Sequence, residues 1–154
     1  MTPIEIREII GKLNTSLTRD EEDAWTQLRA LGPAVVPYLA EAYSQFNKWQ
    51  GRASLVFHSV RYARTSEEAF QLGIAALKDK STIVRYRACS LLAYSLRDDA
   101  LAYLRAASGH SDQKTAEDAT AAMDAIKNKN HHHFVDRRHS GNSFWVVNES
   151  DRKT

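Results

Sequence analysis

The sequence has one cysteine, Cys89, in 154 residues. An internal disulfide framework is excluded, and a lone thiol fits a reducing compartment. Charge of one sign is also missing. The 21 basic and 19 acidic residues leave a net charge of +2, so bulk charge argues neither for nor against a nucleic-acid partner. No apolar run approaches the roughly 20 residues that span a bilayer. No basic segment followed by an apolar run stands at the N-terminus. The expectation is a cytoplasmic protein with no secretory signal and no membrane partner. Strand-like alternation of apolar and polar residues is absent before Phe134.

What is present is a string of helices with clear start and stop signals. Thr2-Pro3-Ile4-Glu5 reads as a capping box with proline at the first helical position. Thr18-Arg19-Asp20-Glu21 predicts a second start of the same kind, with Asp20 to Asp23 set against the helix dipole. Gly32-Pro33 stops one helix and starts the next, over roughly 33–46. A fourth helix is expected over about 49–63 with Val56 and Phe57 inward. A fifth is capped by Thr65-Ser66-Glu67-Glu68. Ser81 caps a sixth, whose Val84, Ala88, Leu91, Leu92 and Ser95 form one apolar stripe. Asp98-Asp99 opens a seventh, and Ser111 or Asp112 an eighth that ends near Lys127.

The sixth helix is the template for an internal repeat. Subtracting 35 places Ala88, Leu91 and Leu92 on Ala53, Val56 and Phe57; adding 31 places them on Ala119, Ala122 and Met123. Stacked helical hairpins bury such stripes, which no single hairpin could cover alone. The run Asp79, Val84-Arg85, Ala88 and Leu91-Leu92, with Leu31-Gly32-Pro33 and Val36-Pro37-Tyr38-Leu39, resembles the HEAT-repeat family over about residues 18–127. The resemblance implies an all-α fold: a short right-handed α-solenoid of about eight helices, with a C-terminal extended or hairpin tail. It also implies that Asp79 and Arg85 tie neighbouring layers together.

Composition changes after Lys127. A repeat domain over 1–128 and a tail over 129–154 are expected, the tail being a small β-hairpin or extended segment packed on the last repeats. Ser140-Gly141-Asn142 is its turn signal. Phe134, Val135, Phe144, Trp145, Val146 and Val147 are too apolar for a freely solvated tail, whereas Glu149 to Thr154 is expected to fray. Four of the six histidines lie here. His131, His133 and His139 are the metal candidates, with Asp136 as a further donor, but adjacent histidines on a strand point apart. An acid–base pair of His133 and His139 beside Arg137 or Arg138 would need a cleft that the sequence does not display.

The reading adopted therefore names no catalytic residue, no metal and no cofactor. It expects a non-catalytic module that binds a protein through Trp49, Tyr86, Arg87, Tyr94, Arg137, Arg138 and Trp145, because aromatic and arginine side chains anchor interfaces. The chain is also similar to small bacterial HEAT-like immunity proteins, which implies a cognate toxin domain as partner. The alternative is a nucleic-acid-binding protein related to the HEAT-like alkylpurine DNA glycosylases, with its arginines along the phosphates.

Overall fold

The computed structural model describes residues 1–152, and within them the chain is helical with no strand. The helices are α1 (Pro3–Gly11), α2 (Thr18–Leu28), α3 (Val36–Tyr43), α4 (Trp49–Ser59), α5 (Glu67–Ala76), α6 (Thr82–Ser95), α7 (Leu101–Ala107) and α8 (Gln113–Lys127). They pair as hairpins in two layers. In one layer α1 meets α3 and α3 meets α5; in the other α4 meets α6 and α6 meets α8. This is a helical solenoid-like fold, with α6 at its centre against α4, α5 and α8.

Most start signals act as the sequence implies. Thr2 and Glu5 close a reciprocal capping box, and Ser66, Ser81 and Asp112 each accept a backbone N–H of the first turn. Two do not. α2 begins at Thr18, after Leu17, without a side-chain cap. The expected helix from Pro33 is divided into a 3-10 segment (Arg29–Val35) followed by α3, around Gly32 at φ 58°. Glycine alone carries that backbone without a Cβ clash.

The buried Leu55, Val56, Leu91, Leu92 and Ile126 join the layers, each contributing on the order of 2 kcal/mol by leaving water. Polar contacts fix the register. Arg52 grips Asp79 through Nε (2.8 Å) and Nη2 (3.2 Å), and its Nη1 donates to the carbonyl of Phe46. Arg85 repeats the pattern: Nη2 reaches Asp112 at 2.8 Å and Nη1 the carbonyl of Asp79 at 2.7 Å. Asp79 also accepts from the Ser81 N–H that opens α6 and from the Tyr43 hydroxyl. Arg52 and Arg85 are separated by the same interval as Asp79 and Asp112. That shared interval is the spatial repeat, and it falls between the two offsets read from apolar matches. At this register Leu92 corresponds to Ser59 rather than Phe57. Accordingly, Ser59 is buried, whereas Phe57, expected inside, is 50% exposed. Ile4, in the first turn of α1, is likewise exposed.

After α8 the tail takes the extended alternative, interrupted by 3-10 turns at His131–Phe134 and Glu149–Asp151. Its ring contacts run from Trp145 to Tyr94 (5.7 Å) and Phe134 (5.7 Å). The segment expected to fray does not do so as far as Asp151. That carboxylate is buried and accepts the Tyr94 hydroxyl and the N–H groups of Val147 and Asn148. The last two residues of that expectation, 153 and 154, lie outside the described residues. No helix among the described residues is long and apolar enough to cross a membrane.

Candidate metal centre

The end of α8 and the start of the tail converge on one cluster. Asp124 lies in the last turn of α8, and its carboxylate meets the returning tail at His139. The backbone leaves α8 through Lys129 at φ 50°, and the 3-10 turn His131–Phe134 brings His133 back alongside the helix. Asp136 then caps the next bend, accepting from Ser140 N, Ser140 Oγ and Gly141 N. These bonds hold its carboxyl below the usual range, with Ser140 the leading cause. His139, at φ 54°, is delivered by that bend.

One ligand atom each from Asp124, His133 and His139 lies within 4.8 Å of the others. His139 Nε2 is 2.5 Å from Asp124 Oδ2, and the His133 and His139 rings stack at 3.8 Å with 12° between planes. His133 Nε2 meets Asn130 Nδ2 at 3.2 Å, while its Nδ1 is buried with no hydrogen-bond partner. One ring nitrogen is engaged and the other is left over. His139 and Asp124 also face a groove of about 580 Å³ along α8, beside Gln113, Glu117 and Thr120.

The fit to a metal ion is favourable in donors and incomplete in geometry. Two imidazoles and a carboxylate are a recognised set for zinc or iron. Bonds of about 2.1 Å put donors of one ion roughly 3.0–3.5 Å apart, so Asp124 and His139, hydrogen-bonded at 2.5 Å, must open while any wider separation in the cluster closes. Parallel rings cannot both point at one ion in their planes. The exposed His139 must therefore rotate off His133, a movement its surface position permits.

The structure distributes the sequence candidates widely. His131 is not in the cluster. It is buried beside Tyr94, with Nδ1 3.1 Å from Arg64 Nη2 and Nε2 2.8 Å from the Trp145 carbonyl. Burial pulls its pKa down. Tyr94, expected to face outward, is 1% exposed because the tail covers it. Trp145 packs against the core. Arg137 donates to the Phe134 carbonyl and to Asp118, so it anchors the tail. Tyr86 is half-buried, between Phe134 and the Lys114 ammonium. Arg87 lies over the Phe57 ring at 4.7 Å. Trp49 and Arg138 are exposed. Asp79 and Arg85 sit in the inter-repeat ladder, each bonded to a different partner layer. Asp124 was not among the sequence candidates; its one signal is an acidic residue in the helix that runs into a histidine-rich tail.

No family model matches this chain, and no curated relative matches it. Among solved structures it is similar to human deoxyhypusine hydroxylase in complex with glycerol. The TM-score is 0.64 at 19% identity, covering 80% of this chain and 43% of that one. The chain therefore spans less than half the length of that neighbour, and the likeness shows the fold: helical repeats of the HEAT-like kind. It also overturns the expectation of a non-catalytic toxin-neutralising module. The architecture taken as a sign of a passive binder is here matched to an enzyme, and no toxin–immunity relative appears. The expectation of no catalytic residue rested on a cleft that the sequence does not display, and Asp124 and His139 here face a groove.

Proposed function

We propose that this protein is a metal-dependent enzyme of helical-repeat architecture, with Asp124, His133 and His139 as its metal ligands. The observation that carries the reading is their convergence at the mouth of the α8 groove, with a buried His133 nitrogen left without a partner. Two histidines and one carboxylate leave coordination positions open for substrate, as redox and hydrolytic metal sites require. Iron(II) and zinc(II) both accept such a ligand set. When bound, the ion would supply Lewis acidity or redox chemistry at the groove.

The chain's own residues supply placement. Asn130, whose Oδ1 accepts from the His132 N–H, donates from Nδ2 to His133 Nε2 and so orients the ring; for Nδ1 to bind an ion this amide must turn so that Nε2 can donate instead. Asp136 fixes the bend that carries His139. Gln113, Glu117 and Thr120 offer polar groups along the groove for a substrate.

The test is anaerobic titration of metal-free, untagged protein with iron(II) and zinc(II), followed by calorimetry. One ion per chain is expected, with affinity reduced about 10-fold or more in Asp124→Asn and in His139→Ala, the scale on which ligand-shell changes act. Equal binding by wild type and the Asp124→Asn/His139→Ala double variant would overturn the reading.

A further inference from the structure

A second cavity, away from the metal cluster, has a different character. It measures about 170 Å³ and lies where the C-terminal end of α4, the middle of α6 and the tail meet. Phe57, Phe134 and Trp145 give it an aromatic lining, and Arg61 and Arg87 stand in its wall. No aspartate or glutamate lines it. Arg87 is held over the Phe57 and Tyr86 rings, and neither Arg87 nor Arg61 has a carboxylate partner among the described residues. The arginines that bridge elements of the fold, Arg52, Arg64, Arg85 and Arg137, each have one. The remaining base in the wall, His58, is already engaged by Glu21 and stacked on Trp25.

We propose that this cavity binds a small apolar carboxylate: one aromatic ring or short alkyl chain bearing a single carboxyl group. Size sets the body, since sites for drug-sized ligands occupy about 300–1,000 Å³ and this one is smaller. Charge sets the head, since planar guanidinium groups pair with carboxylates through charge-assisted forks. The aromatic lining selects against a bare phosphate, whose strong hydration would be lost against Phe57, Phe134 and Trp145 without compensation. Ser90 and the Tyr86 ring lie in the same wall and complete the enclosure. The carboxylate can belong to a free acid or to the C-terminal residue of a peptide, which present the same groups to the arginines.

The experiment titrates the metal-free full chain with 3-phenylpropionate, with a short peptide ending in phenylalanine, with 3-phenylpropanamide and with inorganic phosphate. Calorimetry gives affinity, and Trp145 fluorescence reports occupancy. Saturable binding of the free acid or the peptide is expected, and the tighter of the two identifies the source. Amide and phosphate should bind at least about tenfold more weakly, the scale of a hydrogen bond to a charged group. Arg61→Gln and Arg87→Gln should each weaken the acid by a similar factor while leaving the thermal midpoint near wild type. Trp145→Phe should keep binding and lose the fluorescence change. Equal affinity for acid and amide, unchanged affinity in both arginine variants, or no binding at millimolar acid would each overturn the proposal. Metal binding at Asp124 is measured separately, so failure of either site is seen on its own.

Discussion

Arg137 reaches from the tail to the buried carboxylate of Asp118, with Nη2 3.0 Å from Oδ1. Asp118 follows Arg85 by the same interval that separates Arg85 from Arg52, so it occupies the position of the ladder arginine in the two preceding repeats. The charge is reversed at the end of the stack. The arginine that would reach toward a further repeat is replaced by an acid that receives one from the tail. The tail thus closes the solenoid by an ion pair as well as by Trp145 and Phe134.

Removing Arg137 leaves Asp118 with Lys114 alone, while its Oδ2 already lacks a partner. Arg137→Met is expected to cost about 2 kcal/mol, below the range for a fully buried pair because Arg137 is partly exposed. Asp118→Leu in that background should recover much of the loss, since an apolar replacement removes the buried charge. Urea unfolding with an unchanged m-value measures both. An Arg137→Met midpoint equal to wild type would mean that the pair does not hold the tail.

The Arg52–Asp79 pair sets an acid limit on stability. Burial pushes the Asp79 carboxyl up, but Arg52, Tyr43 and the Ser81 N–H together hold it below its ordinary 3.8. A carboxyl depressed in the folded state stabilises fully above its unfolded value and loses that contribution as pH falls through the folded one. Asp79→Asn should therefore cost about 3 kcal/mol at neutral pH. It should also flatten the stability curve between about pH 5 and pH 2. Denaturant midpoints across that range, compared with wild type, are the measurement.

Helix starts were legible because Ser66, Ser81 and Asp112 act locally, through the first turn of their own helix. The repeat was legible and its period was not. Small and apolar residues recur so often in these helices that neighbouring offsets match almost equally well. Only the paired spacing of Arg52, Arg85, Asp79 and Asp112 separates them, and that pairing is a contact between layers. Tyr94 read as a surface residue because its cover is the tail, which returns to it from far along the chain at Trp145. His133 and His139 were legible as candidates, but Asp124 escaped for the same reason as Tyr94. Asp124 meets His139 across an irregular bend, and no helical or strand period relates the two.

Two glycines report how closely the layers approach. A Cβ on Gly73 would lie 2.6 Å from Leu91 Cδ2, at the end of a side chain that can shift. A Cβ on Gly51 would lie 2.8 Å from the Cα of Asn14, which is backbone. Alanine returns about 1 kcal/mol of helix propensity at either site, against about 1–3 kcal/mol for overpacking. Gly73→Ala should be mildly destabilising and partly rescued by Leu91→Val, which removes the opposing methyl. Gly51→Ala should be the more damaging change. Thermal midpoints of the three variants test the order, and a Gly51→Ala protein as stable as Gly73→Ala would contradict it.

His131 makes tail docking sensitive to pH. Burial disfavours its charged form, so its pKa in the folded protein lies below the ordinary 6.5, despite the Trp145 carbonyl and Asp151 nearby. The other charged groups facing it are Arg64, against Nδ1, and His132, whose ring centroid is 4.0 Å away; both oppose protonation. A base with a depressed folded pKa contributes stability above its unfolded value and loses it as pH falls through the folded value. Docking should therefore weaken as pH drops below about 6.5, before the carboxylates begin to titrate. Limited proteolysis of the tail at pH 7.5 and pH 5.5, corrected for protease activity, should show faster cleavage at the lower pH. His131→Gln can keep a bond to the Trp145 carbonyl and has no proton to gain, so its cleavage rate should be the same at both values. A pH dependence that survives in His131→Gln would assign the effect to another group.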